Sequence, residues 1–312
     1  MPTPKCQQYK QKLKELQELS DKFKAELKRV NKDGKEHNEQ GESIIELKEQ
    51  IQIKVKEFEI EFKEFLLLDT VKAKTPEGIE VEFKLKEILN YSKEFYRELN
   101  LDSWADALPD TLKLSQEQIE KLQQNIEKHG FNKMLIYPPV EVQNETLEQL
   151  AQSTTSPMPG LDESKQYGKM KDDDTREEGF WKSNTVKQAF PNNIITKNRP
   201  KGCYIQLYKD EQEVPDETLN KSADKARQDQ KENDLQGYTL AEYLIFQREF
   251  VKENKKHPEH ARYSWLTDSE LPSSQVPLSY WAPDGRRVDV DSKGSDDRYD
   301  DLGFRSSAVL SV

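Results

Sequence analysis

Cysteine is scarce in this chain. Its 312 residues include two, Cys6 and Cys203, in segments that read as different domains. That excludes a disulfide framework and points to reduced thiols in a cytoplasm. Histidine is equally scarce, with four residues, which leaves little for acid–base catalysis. The 12 glycines form no phosphate-cradling loop, no dinucleotide fingerprint and no nucleophile elbow. Apolar runs are short, with Phe65-Leu66-Leu67-Leu68 among the longest. A bilayer span needs about 20 apolar residues, so no membrane helix is expected, and the polar N-terminus Met1 to Gln8 is not a secretory leader. Dense basic clusters are missing as well. With 48 basic and 59 acidic side chains the net charge is −11, an argument against nucleic acid as a partner.

Charge is abundant instead. Charged residues make up 34% and hydrophobic residues 33% of the chain, and mean hydropathy is −1.00. Leu, Ile, Val and Phe together reach about 22%, just above the level below which disorder becomes the default. A single globule of this length is therefore not the first expectation.

The first 70 residues explain part of this. Tyr9, Leu13, Leu16, Ser20, Phe23, Leu27 and Val30 alternate spacings of four and three, a heptad seam with one polar layer. Asn31 to Glu42 carries Gly34 and Gly41 and no apolar residue. Ile44, Lys48, Ile51, Val55, Phe58, Phe62 and Phe65 then repeat the heptad. A strand reading of Ile51, Ile53 and Val55 competes, but its alternation slips phase before Phe58. Residues 1–70 thus predict an antiparallel coiled-coil helical hairpin. Its charges balance over residues 1–66, so the net −11 lies in the remainder. Such an arm is a structural stalk or a docking element, and self-association through it is one expected partner mode.

Residues 71–152 read as a small α/β unit. Ile79, Val81 and Phe83 alternate like a strand, and Leu85, Ile88, Leu89, Tyr91 and Phe95 stripe a helix. Ser115 with Gln118 forms a capping box, His129-Gly130 ends that helix, and Phe131 to Tyr137 follows as a strand. Residues 153–179, with Asp172-Asp173-Asp174 among them, read as a polar linker. From Phe180 onward aromatics return. Cys203 to Tyr208 reads as a strand, 209–236 as a polar excursion, and Thr239 with Glu242 as a second capping box before an apolar-striped helix. Strands are expected at 263–266, 276–281, 287–291 and 304–310, with a turn at Pro283-Asp284-Gly285. Trp265 and Trp281 are expected in the core, Arg298 and Tyr299 on the surface.

Two cation motifs are weighed. His257 and His260 lie three apart, but zinc needs about two more ligands, and a polar helix end is the plainer reading. Asp289-x-Asp291-x-Lys293-Gly294, with Asp300 at the twelfth position, imitates a calcium loop. Lys293 puts a cation where the cation should bind, so a solvated acidic loop is expected. No cofactor is expected.

The run Trp281-x-Pro283-Asp284-Gly285-Arg286-Arg287-Val288, followed by Leu302-Gly303-Phe304-Arg305, resembles the closing strands of a C-type-lectin-like fold. It is similar to the tails of formylglycine-generating-enzyme-like domains and of the variable proteins of diversity-generating retroelements. The chain as a whole resembles hypothetical proteins of candidate-phylum bacteria. The resemblance implies a C-type-lectin-like α+β domain over 180–312, with the 203–208 strand beside the 304–310 strand and the 239–255 helix across them. The enzyme branch uses a cysteine pair, which this tail lacks, so no catalysis is implied. In the retroelement branch the variable side chains line a ligand face. That implies Tyr280, Asp291, Ser292, Asp296, Asp297, Arg298 and Tyr299 as ligand-binding residues. The expected function is a non-enzymatic binding protein for a protein or other macromolecular ligand, with no membrane and no nucleic-acid partner. The alternative is a scaffold assembling through the coiled coil.

Overall fold

The structure is a computed structural model that describes residues 4–33, 46, 48–57, 69–153, 180–283 and 286–312. The chain divides into two units, Met1–Leu68 and Asp69–Val312.

The first unit is helical. Helix α1 (Pro4–Asp33) runs beyond the expected break at Asn31. Helix α2 (48–57) holds Ile51, Ile53 and Val55, so helix wins over strand there. Lys54 Nζ lies 3.7 Å from Glu15 Oε2, which brings the two helices side by side. Leu16, Leu19, Ser20 and Phe23 are half-buried, whereas Leu13 is 52% and Leu27 37% exposed. Ile44, Phe58, Phe62 and Phe65 of the expected seam lie outside the described residues.

The second unit is mixed α+β. A hairpin of β1 (Thr70–Lys74) and β2 (Glu80–Lys84) turns through Gly78, whose φ of +86° suits glycine. Helices α3 (Leu85–Glu98), α4 (Asp102–Ala107) and α5 (Gln116–His129) follow. In α5 both halves of the Ser115–Gln118 capping box form, and Gly130 closes the helix at φ +71°. Strand β3 (Lys133–Tyr137) and helices α6 (Val140–Glu145) and α7 (Leu147–Ser153) complete this stretch. The linker expected after it falls outside the described residues.

After it come β4 (Phe180–Lys182), α8 (Asn184–Ala189), β5 (Ile195–Thr196) and β6 (Tyr204–Tyr208). Helix α9 (Ala223–Glu232) occupies the stretch expected as a polar excursion. Its Ala223 and Ala226 pack into the core against Trp265, Leu278 and Phe304. Helix α10 (Leu240–Asn254) starts on the Thr239–Glu242 capping box. Strands β7 (Tyr263–Trp265), β8 (Ser269–Glu270), β9 (Val276–Ala282), β10 (Arg287–Lys293), β11 (Leu302–Phe304) and β12 (Ala308–Ser311) end the chain.

Two sheets carry the fold. One has the order β12-β6-β3, the other β11-β7-β9-β10-β4. Every residue of α10 from Leu240 to Val251 is buried, as expected of a helix with neighbours on all sides. Tyr208 meets Phe246 edge-on at 6.0 Å, and Tyr204 donates to Glu242 at 2.6 Å, so α10 lies across the three-stranded sheet. Strand β12 pairs with β6, as the resemblance implied.

Two expectations need correction. Strand β3 pairs with β6, Leu135 opposite Gln206, so 71–152 and 180–312 share one sheet and one unit. The expected 304–310 strand is also two strands, β11 and β12, in different sheets. Arg305 lies at the break. Its guanidinium turns into the core, where Nε bonds Glu259, Nη2 donates to the Glu211 carbonyl at 2.8 Å, and Phe246 lies 4.6 Å beneath. Gly303 precedes it in a gap that a Cβ would fill, 2.6 Å from Thr218 Oγ1 and 2.8 Å from Val214 Cγ2. Leu302 and Phe304 are core residues.

A second buried charge centre holds the α10 N-terminus. Arg199 is 1% exposed at its side chain, Glu242 0% and Asp268 2%. Arg199 donates twice to Glu242, both at 2.6 Å, and to Asp268 at 2.7 Å. Its remaining N–H groups meet the carbonyls of Gly237 and Asn198. All five guanidinium donors are therefore satisfied, the condition under which a buried ion pair is tolerated.

Candidate binding face

Strands β7, β9 and β10 lie side by side, and alternation sets which residues share a face. Tyr280 sits opposite Asp289, and Leu278 opposite both Asp291 and Trp265. The face holding Val276, Leu278 and Trp265 is covered by α9. Further along the strands the same face is half-open. Tyr263 and Tyr280 lie with ring centroids 4.2 Å apart. The Tyr280 hydroxyl donates to Asp289 Oδ2 at 3.1 Å, and the Arg287 guanidinium holds the same carboxylate. Burial, then the Asp289 charge, pushes the Tyr280 phenol upward, so it stays a neutral donor.

The loop after β10 borders this face. Ser295 anchors it on the start of α9: its carbonyl accepts the Asp224 N–H, and its hydroxyl donates to the Asp224 carboxylate at 2.8 Å. The loop then reaches β11, where Leu302 pairs with Tyr263 and donates its N–H to the Tyr299 carbonyl. Asp296, Arg298 and Tyr299 are exposed, Tyr299 by 45%.

The expected site residues therefore divide. Tyr280 and Asp291 share the half-open face, and Asp296, Arg298 and Tyr299 stand on its bordering loop. Asp297 is used within that loop, where its carboxylate accepts the Gly294 N–H at 2.9 Å. Ser292 needs correction. It is 6% exposed and points to the opposite side of β10, where its hydroxyl donates to Gln275 at 3.0 Å. One-residue parity explains this, because neighbours in a strand face opposite ways. Tyr263, Arg287 and Asp289 were not expected at the site. The register of β9 against β10 was the signal that could have found Arg287 and Asp289.

Neither cation motif assembles a site. Asp291 is met by Lys293 at 3.4 Å and by the Ser292 N–H at 2.8 Å, while Asp289 is held by Tyr280 and Arg287. Among the described residues no group of three or more His, Cys, Asp or Glu side chains is placed to hold a metal ion. His257 is no polar helix end. It is buried, with its ring stacked on Trp281, while His260 is exposed. Trp265 and Trp281 are core residues, at 0% and 3% exposure.

No helix among the described residues is long and apolar enough to cross a membrane. No family model, no curated protein and no solved structure matches the chain.

Proposed function

We propose that this is a non-enzymatic binding protein. Its C-terminal region, read as C-type-lectin-like, presents the Tyr263–Tyr280 face and the 294–301 loop to a protein or other macromolecular ligand. The observation that carries the reading is the character of that face. Paired tyrosines, a shared Asp289–Arg287 charge pair and an exposed Arg298–Tyr299 rim stand on a packed sheet. Tyr and Arg on a rigid support are the residue types that dominate recognition surfaces. The pairing of β12 with β6, α10 across them and the buried Gly-Phe-Arg element support the lectin-like reading. Nucleic acid is not among the proposed ligands, since the net −11 lies beyond residue 66. We place the protein in the cytoplasm, supported by the free Cys203 thiol.

A second reading is a scaffold that assembles through an N-terminal coiled coil. The exposure of Leu13, Leu27, Ile53 and Val55 on the helical arm favours it.

Affinity capture with the full chain, with residues 69–312, and with full-length Tyr280→Ala/Arg298→Ala/Tyr299→Ala separates the two. The binding-face reading expects a partner retained by 69–312 and lost with the triple variant. Capture that depends on the arm alone refutes it. In the coding DNA, an imperfect repeat of the 3′ segment differing mainly at adenines, beside a reverse-transcriptase gene, would mark the face as diversified.

A further inference from the structure

A cavity of about 300 Å³ opens where α9, the segment after β6 and the end of β11 meet, at the lower end of the size range of small-molecule sites. Its floor is aromatic: Phe131, Phe304 and Tyr238 line it, all buried, Tyr238 to 1% exposure. His129 adds a fourth ring. Burial, then Lys128 and Lys209, lowers the His129 pKa, so this ring is a neutral imidazole.

Two donors on the floor are unspent. The Tyr238 hydroxyl has no hydrogen-bond partner among the described residues. Burial pushes its pKa upward, so it stays a neutral donor. Arg305 commits Nε to Glu259 and Nη2 to the Glu211 carbonyl, and its Nη1 has no hydrogen-bond partner among the described residues. The walls around them are held. Gln230 Nε2 donates to the Arg305 carbonyl at 3.2 Å, and its Oε1 accepts the Thr267 hydroxyl at 2.9 Å. Thr218 donates to the Pro215 carbonyl at 2.7 Å and accepts the Phe304 N–H at 3.2 Å. A cavity preformed in this way costs little to order on binding.

Its charge is compensated. Lys221 meets Asp229 at 2.8 Å, Lys209 meets Glu211 at 3.5 Å, and Arg305 is paired with Glu259. Glu77 stands near Lys209 as a further carboxylate. Glu217, on the rim, has no ion-pair partner among the described residues. Every lining cation thus has its carboxylate, and an anionic ligand would meet Glu217, Glu211 and Asp229 as like charges.

We infer that this cavity binds an uncharged heteroaromatic molecule of the nucleobase class, as the free base or its nucleoside. Four rings favour an aromatic occupant, because offset and edge-on ring pairs add to the gain from burial. A hydrocarbon ring would leave the Tyr238 hydroxyl and Arg305 Nη1 unpaired, which is costly for buried donors. An aliphatic polyol would press its own hydroxyls against Phe131 and Phe304. A ring nitrogen or ring carbonyl supplies the π face and the acceptor in one plane. An uncharged base also carries none of the phosphates that the net −11 argues against. None of the lining residues belongs to the Tyr263–Tyr280 face, so the cavity is separate from the surface proposed to meet a macromolecule.

The test is calorimetric titration of the full chain with adenine, uracil, adenosine, uridine, the two nucleoside monophosphates, tryptophan and glucose. Saturable binding of at least one base or nucleoside is expected, with its monophosphate weaker by about tenfold through repulsion from the rim carboxylates. A nucleoside that binds more tightly than its base assigns the nucleoside; otherwise the free base is assigned. Tyr238→Phe removes a hydroxyl that bonds nothing among the described residues. Its urea unfolding should match wild type, while binding weakens about three- to tenfold, the scale of one hydrogen bond. Leu235→Trp, which adds a ring at the half-buried rim, should abolish binding, and Tyr299→Phe, outside the lining, should leave it unchanged. Absence of saturable binding by every base and nucleoside overturns the inference. So does a monophosphate, tryptophan or glucose that binds as tightly as the best of them, or a Tyr238→Phe variant with wild-type affinity.

Discussion

Replacing Arg305 with Met should destabilise the protein by about 3–5 kcal/mol at pH 7. The size follows from what remains behind. Glu259 is fully buried and Arg305 only 4% exposed at the side chain. Without the guanidinium, the carboxylate keeps the Tyr243 hydroxyl at 3.1 Å but no countercharge in contact. Burial already pushes its pKa upward, and Arg305 is the main influence pulling it back. Glu259 in the variant will then fold protonated. Protonating an ordinary carboxylate at pH 7 costs about 3.5 kcal/mol, at roughly 1.4 kcal/mol per pH unit above its normal value. Losing the Nη2 bond to the Glu211 carbonyl adds about 1 kcal/mol. The protonation cost falls to under about 1 kcal/mol at pH 5. The sign is fixed: a folded-state pKa above the unfolded one stabilises at low pH and loses that advantage as pH rises. Urea unfolding followed by tryptophan fluorescence at pH 5 and 7 measures both values. Arg305→Met/Glu259→Gln should regain most of the loss at pH 7, since no buried charge is then left unpaired. A single-variant loss below about 1 kcal/mol at pH 7, or a loss that does not shrink at pH 5, would refute the reasoning.

Further outcomes are expected elsewhere. Gly303→Ala drives a Cβ to within 2.6 Å of Thr218 Oγ1 and 2.8 Å of Val214 Cγ2, and overpacking of that kind should lower the unfolding free energy by about 1–3 kcal/mol. Ser115→Ala removes the hydroxyl that accepts the Gln118 N–H at 3.2 Å, and urea unfolding should show a loss of about 1 kcal/mol. Glu249, in the buried face of α10, has its pKa raised from 4.5 to about 8 by burial and by Glu253. Its carboxyl therefore stabilises the fold below about pH 4.5, and that contribution is lost as pH rises through about 8. Relative to Glu249→Gln, the wild type should lose a few kcal/mol over that interval in thermal or urea unfolding; parallel profiles would show that Glu249 is not buried as described.

Much of the local structure was legible because its chemistry is local. Both capping boxes span four residues, and Gly130 stops α5 through its own backbone freedom. The β9–β10 hairpin follows from two alternating runs about a turn. Distant pairings were not legible. Nothing within 133–137 says that its partner is 204–208, since that choice depends on a sheet assembled across an intervening stretch. Helix α9 escaped because its buried face is Ala223 and Ala226, too small to stand out among Lys, Asp and Gln. The site was half legible. Alternation alone forbids Asp291 and Ser292 from facing the same way, so a strand reading of 287–291 carried one step further would have removed Ser292.

The low hydrophobic fraction has its explanation in how polar residues are used inside the second unit. Twelve consecutive residues of α10 are buried, and Glu242, Gln247, Arg248 and Glu249 are among them. A chain with few aliphatic residues would expose such a helix unless its polar groups found partners, because each unpaired buried group costs about 1–3 kcal/mol. Arg199 supplies them for Glu242, and Tyr243 supplies one for Gln247. Aromatic rings fill the volume that Leu and Ile would otherwise take: Tyr96, Trp104, Tyr137 and Tyr204 are each 0% exposed, and Tyr137 stacks on Tyr204 at 5.4 Å. Tyr96 and Tyr204 serve both purposes, since the ring packs and the hydroxyl donates, from Tyr96 to the Ile136 carbonyl at 2.8 Å and from Tyr204 to Glu242 at 2.6 Å. A composition near the disorder boundary therefore supports one packed unit over 69–312, in which charge lies inside as ion pairs and outside as a net −11.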